Sequence, residues 1–297
     1  MKVTNYYIQK FLDTLLSLKN YSIHTVSNYE LDLNYLHAFM QQQNLSLDTL
    51  TKQHCRQFIE THYEIKKSKT IARYISSYRS FWNYLIKEDV TYINPWKQIK
   101  LPKQSINLPH ILSTKDVLDF LNNINTTTPI GIRDKAICES LYGMGLRVAE
   151  LCTLEFNNCN FNKRECLITG KGNYQRIVYL GGITYKIIQD YINNARCLWK
   201  TKESKTLFIN KYGNRLSERT IQRIIKQCAL KQGFNKHITP HTLRHCYATD
   251  LYKGGADLAI IKDLLGHKNL STTEIYTHVA NEDLAQTLNE SHPHAQN

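Results

Sequence analysis

The chain has 297 residues, 42% of them hydrophobic, and 38 Lys+Arg against 25 Asp+Glu give a formal net charge of +13. That length suits about two domains with full cores, and no run of ~18 apolar residues offers a membrane span, which excludes an integral helical membrane protein. The excess charge is shared, +6 over residues 1–110 and +7 over 111–297, so the partner expected is a long polyanion, most simply nucleic acid.

The N-terminal stretch lacks the continuous apolar core of a signal peptide. Eight cysteines form no CxxC pair, and several sit in apolar runs such as "KAICESLYG". They read as small buried hydrophobes, not as a disulfide frame or zinc knuckle. The expectation is a cytoplasmic protein.

In chain order, the first hundred residues predict helices. "YIQKFLDTLLSL" spaces Phe11, Leu15 and Leu18 on one face, and "TVSNYELDLNYLHAFM" does so with Tyr29, Leu33, Leu36 and Met40. A third, "KTIARYISSYRSFWNYLIKE", puts Ile71, Ile75, Tyr78, Trp82 and Leu85 on its apolar side and Lys69, Arg73 and Arg79 on the other. Those three basic residues are either a solvated face or a contact to nucleic acid. "NPWKQIKLPKQSINLPH" has three prolines, three lysines and no helical period, and predicts an extended linker over 94–110. Its Lys100 and Lys103 suit a phosphate backbone.

A second domain begins at "STKDVLDFLNNI", where Ser113 and Thr114 are candidate caps. "ECLITGKGNYQRIVYL" alternates on both sides of "GKGN" and predicts a β-hairpin with Lys171 at its tip. No Walker pattern follows that glycine pair. Helices are expected around 184–199, 217–232 and 240–253. The closing stretch "NEDLAQTLNESHPHAQN" has no Lys or Arg and is mildly acidic, so it is either loose or seated on protein.

The chemistry concentrates in a few blocks. In "LYGMGLRVAEL", Gly143 and Gly145 allow the tight turn that brings Arg147 to a helix start, with Glu150 three residues on. Thr239 and Pro240 open a helix on which Leu243, Tyr247 and Leu251 form the apolar side, while His241 and Arg244 share a polar one. His241 and His245 have ligand spacing, but the glutamate of HExxH is missing and Arg244 between them would repel a cation, so no metal is expected. "LAIIKDLLGH" predicts a short helix stopped by Gly266, with His267 just beyond it. "STTEIYTHV" opens another, Ser271 and Glu274 being spaced as a capping box and Tyr276 lying near the positive end of the helix dipole.

Arg147, Lys171, His241, Arg244, His267 and Tyr276, carried in order by "GMGLRVAEL", "GKGN", "PHTLRH", "LLGH" and "STTEIYTHV", resemble the tyrosine recombinases. The compact length and the ending "SHPHA" are most similar to the bacterial Xer group. The resemblance implies a mainly α, two-domain fold: an N-terminal helical, SAM-like DNA-binding domain over 1–93, the linker 94–110, and a larger mostly helical catalytic domain with a small β-sheet over 111–280. It also implies a tail, 281–297, docking on a neighbouring subunit. By the same resemblance Tyr276 is the nucleophile that forms a 3′-phosphotyrosine. Arg147 and Arg244 hold the phosphate, Lys171 protonates the leaving oxygen, His241 and His267 assist, and Glu150 positions. No cofactor is implied. The implied partners are double-stranded DNA with paired sites, a tetramer on that DNA, a second recombinase, and the septal DNA translocase. The implied job is resolution of chromosome or plasmid dimers. The alternatives are a mobile-element or phage-type integrase of the same chemistry, a type IB topoisomerase, and a non-catalytic DNA-binding accessory protein.

Overall fold

The computed structural model describes residues 2–17, 21, 23–63, 65–101, 112–170, 174–199, 204–234, 238–266 and 291–294. The chain divides into two compact units, Met1–Asn107 and Leu108–Asn297. The fold is mainly α, with one small sheet.

In the first unit the helices are α1 (Lys2–Ser17), α2 (Ile23–Gln42), α3 (Lys52–Tyr63) and α4 (Ser68–Lys87). The amphipathic α4 is its centre: Ile71, Ile75, Tyr78, Trp82 and Leu85 are all buried against Phe11, Leu15, Leu33, Leu36 and Phe58. The apolar period in the sequence foretold α1, α2 and α4. It did not foretell α3, because only Cys55 and Phe58 are buried in that polar helix. Between α2 and α4 the chain buries a charge. Asp32 accepts from Arg73 Nη1 at 2.6 and 2.7 Å and from Ser77 Oγ at 3.1 Å, and its backbone carbonyl accepts from Tyr78 Oη at 2.8 Å.

The expected linker starts later than its composition indicated. Trp96 and Ile99 are buried in the first unit's core, and Arg79 holds this turn by donating from Nε to the Trp96 carbonyl at 3.0 Å and from Nη2 to that of Ile99. Residues 94–99 are therefore part of the first unit; an apolar pair outweighs the prolines around it.

The second unit contains α5 (Thr114–Asn122), α6 (Pro129–Gly143), α7 (Val148–Thr153), strands β1 (Cys159–Asn160), β2 (Glu165–Thr169) and β3 (Gln175–Tyr179), then α8 (Gly182–Asn194), α9 (Glu218–Lys231), α10 (Pro240–Lys253) and α11 (Leu258–Leu265). Ser113 is the cap of α5, forming a reciprocal box with Asp116. Helix α6 is buried along nearly its whole second half and packs against α8, α9 and α10, which makes it the spine of the unit. The sheet is antiparallel in the order β1-β2-β3, with Glu165 opposite Tyr179 and Thr169 opposite Gln175. The hairpin was expected; the short β1 on its outer edge was not.

Of the tail expected to dock on a neighbouring subunit, residues 291–294 pack within their own unit. His294 Nδ1 lies 2.5 Å from the buried Glu139 Oε1, and the His292 ring sits 4.8 Å from Tyr142 and 5.0 Å from Tyr247. The expected helix opening at 271, with its capping box, and the stretch "LAQTLNE" lie outside the described residues. No helix among those described is long and apolar enough to cross a membrane.

Candidate active site

Three arginines from three elements converge on one carboxylate. The first is set by a backbone turn. Gly145 has φ +59° and packs against the Tyr247 ring, so closely that a Cβ would come within 2.4 Å of it; only glycine meets both conditions. Two residues later Arg147 is the N-cap of α7, the helix start that "GMGLR" suggested. Its backbone N–H donates to Glu150 Oε2 at 2.8 Å and its Nη1 to Glu150 Oε1 at 2.9 Å. Glu150 is no surface partner, being only 4% exposed.

The second arginine, Arg176, went unnoticed in the sequence. It lies on β3 at an inward position shared with Val178 and is 7% exposed. Its Nη1 and Nη2 donate to the two Glu150 oxygens at 2.9 and 2.8 Å, a bidentate pair. A signal for it exists: in "QRIVY" strict alternation puts a charge on the core face, and a buried strand arginine requires a partner.

Arg244 on α10 corrects an expectation. Thr239 does cap this helix by accepting from Thr242 N–H at 3.1 Å, and Pro240 begins it. Yet Arg244 is not on a polar face beside His241. It is 7% exposed and faces inward with Leu243 and Tyr247, whereas His241 and His245 are exposed. Assigning faces by residue type placed the guanidinium with the polar groups; its burial is possible because it donates to the Gly145 and Leu265 carbonyls and lies 3.7 Å from Glu150 Oε2.

The C-terminus of α11 closes the arrangement. Gly266 ends it in the left-handed conformation, φ +65°, as its position suggested. The last carbonyls of a helix lack partners within it. Here Leu264 O accepts from Arg176 Nε at 2.9 Å, Leu265 O from Arg244 Nη2, and Gly266 O from Arg147 Nη2 at 3.0 Å. Three successive carbonyls thus meet three guanidiniums, in the sense the helix dipole favours.

The electrostatics follow. Burial alone would raise the Glu150 carboxyl, but the hydrogen bonds and charge of Arg176, then those of Arg147, hold it at about 2. Arg244 is pushed down to about 10 by burial first and by the neighbouring Arg147 charge second. Three cations face one anion, so the cluster keeps a net positive charge that suits a phosphate. No group of three His, Cys, Asp or Glu side chains able to hold a metal ion occurs among the described residues.

Lys171, His267 and Tyr276 lie outside the described residues, as does Lys103. Two of them adjoin described residues. Gly170 N–H donates to the Tyr174 carbonyl at 2.7 Å, one on each side of Lys171 in the chain, and His267 follows directly on Gly266. In the first unit Lys69 and Lys100 are exposed, whereas Arg73 and Arg79 serve Asp32 and the 94–99 turn.

The Phage integrase family model matches residues 110–283, and the model for the phage integrase N-terminal SAM-like domain matches residues 8–89. The chain is 36% identical over 296 residues to tyrosine recombinase XerC of Halalkalibacterium halodurans, covering 97% of this chain and 98% of that one. It is 37% identical over 293 residues to tyrosine recombinase XerD of Listeria innocua, covering 97% and 99%. Among solved structures, the XerH site-specific recombinase bound to palindromic difH substrate in a post-cleavage complex superposes with TM-score 0.72 at 23% identity, over 91% of this chain and 81% of that one.

Proposed function

The chain belongs to the phage integrase family of tyrosine recombinases, and from this premise we propose that it resolves joined DNA circles by Xer-type recombination at a short, partly palindromic site. Tyr276 attacks a backbone phosphodiester, forms a 3′-phosphotyrosine and releases a 5′-hydroxyl. The energy of the broken bond stays in the new one, so a 5′-hydroxyl can rejoin without ATP.

Arg147 and Arg244 take the two non-bridging oxygens, whose charge grows as the phosphorus becomes five-coordinate. Each preorganised donor contributes ~3–4 kcal/mol to that state. Glu150 and Arg176 touch no DNA; they position the other two. Lys171, between β2 and β3 in the chain, protonates the leaving oxygen, and His241 and His267 assist by hydrogen bonding and proton transfer. Lys69 and Lys100 of the first unit contact phosphates of the same duplex.

The observation that carries this reading is the convergence of three guanidiniums on Glu150 and the end of α11. Near full-length similarity to relatives named XerC and XerD supports the Xer role over integration, topoisomerase action or mere binding. The working assembly is a tetramer on two DNA sites, with a second recombinase and the septal translocase as further partners.

The test is covalent trapping on DNA fragments from the source chromosome, resolved on denaturing gels, with Tyr276→Phe as control. Wild-type adducts at one short locus, absent in the variant, are expected. Adducts that persist in Tyr276→Phe would overturn the assignment of the nucleophile, and adducts at mobile-element ends would move the biology to integration.

A further inference from the structure

The cluster above uses none of the eight cysteines, yet two of them are direct partners across the sheet. Cys159 on β1 is opposite Cys166 on β2. Directly opposed residues of an antiparallel pair share a face, with Cα atoms ~4.5–5.5 Å apart, inside the ~4.4–6.8 Å that a disulfide spans. Cys166 is fully buried, on the same inward row as Ile168, whereas Cys159 is half-buried at the sheet's outer strand. The neighbouring Cys159 thiol and burial together push the Cys166 thiol up, and Cys159 Sγ donates to the Glu155 carbonyl at 3.9 Å. Cys159 is the more accessible of the two, and Cys166 is buried opposite it.

The place matters as much as the pair. Strand β1 is two residues long and is held to β2 by two residue pairs, after a turn containing Arg164 at φ +54°. Strand β2 is followed in the chain by β3, which carries Arg176.

We propose that Cys159 and Cys166 form a reversible disulfide that staples β1 to β2 at the root of the hairpin bearing Arg176. The oxidant is hydrogen peroxide. Cys159 sulfur attacks the peroxide O–O bond, giving a sulfenic acid and one water; Cys166 sulfur then attacks Cys159 sulfur, the S–O bond breaks, and the Cys166 proton leaves with that oxygen as a second water. Both thiols are oxidised and one peroxide is reduced. A dithiol returns the pair to its starting state by exchange.

The exposed Cys197 is an internal gauge of oxidant exposure. Full-length protein is titrated with hydrogen peroxide, free thiols are blocked, and the digest is read by mass spectrometry with and without prior dithiothreitol. The expected product is one peptide pair joined through Cys159 and Cys166, at oxidant levels that modify Cys197, released by the dithiol. It persists in Cys197→Ser and is absent in Cys159→Ser, and oxidation raises the thermal stability of the wild type and Cys197→Ser but not of Cys159→Ser. Three results would overturn the proposal: Cys197 modified while Cys159 and Cys166 stay reduced, Cys159 carried only to the sulfinic acid, or linkage elsewhere, as between the buried Cys138 and Cys228.

Discussion

Replacing Glu150 with Gln tests whether the carboxylate holds the arginines together. The substitution keeps the side chain's size, removes the one anion among three guanidiniums, and turns an amide donor toward donors. Glu150 sits at about 2 against an ordinary 4.5. At ~1.4 kcal/mol per pH unit, that gap makes the ionised carboxylate worth roughly 3 kcal/mol to the folded state. Removing one partner of a buried pair typically costs ~3–5 kcal/mol, in agreement. The sign is that of a depressed acid: the contribution is complete above about pH 4.5 and is lost as pH falls toward about 2. Calorimetry of Glu150→Gln at neutral pH should show the second unit's transition weakened by ~3 kcal/mol, a large share of the ~5–15 kcal/mol that holds a domain. The gap to wild type should close as both are acidified through that window. Adding Arg176→Met should cost less than the two single changes summed, by ~1–3 kcal/mol, because one uncompensated charge leaves with it. A Glu150→Gln protein that melts within ~0.5 kcal/mol of wild type at neutral pH would refute the argument.

Gly145→Ala forces a side chain into φ +59° against the Tyr247 ring; it should destabilise the second unit by at least ~1–3 kcal/mol in a thermal melt and abolish adduct formation. Arg79→Ala removes the donors to the Trp96 and Ile99 carbonyls and should weaken the first unit by ~1–3 kcal/mol in urea. Lys69→Ala, an exposed site, should leave urea unfolding unchanged and reduce the slope of log affinity against log salt by about 1; an unchanged slope would remove Lys69 from the DNA contact.

What the sequence disclosed about this fold was local chemistry. Ser113, Thr239 and Gly266 act within one helical turn of themselves, so their roles as caps and stop could be read from neighbouring residues. Arg147 at a helix start was legible for the same reason. Arg244 was not placed correctly, because whether a guanidinium is buried depends on carbonyls 21 and 99 residues away in the chain. Arg176 was missed because its partner, Glu150, is 26 residues off, and a charge in a strand gives no hint of its mate. Helix α3 escaped since two buried side chains are too few to set a period. Trp96 hid among prolines and lysines that signal a linker by composition while one indole decides the packing.

The grip on α11 has a consequence for the length of that helix. Successive residues of an α-helix are set ~100° apart around its axis, and the arginines that meet Leu264, Leu265 and Gly266 arrive from β3, α10 and the start of α7. The three bonds therefore form only at one rotation of α11. Inserting or deleting a single residue within it would turn all three acceptors away from their donors together and rotate the point from which His267 departs. The three arginines act as a gauge of the helix, admitting one register. Variation in length should accordingly be borne at the Gly254–Gly255 turn before the helix, not inside it.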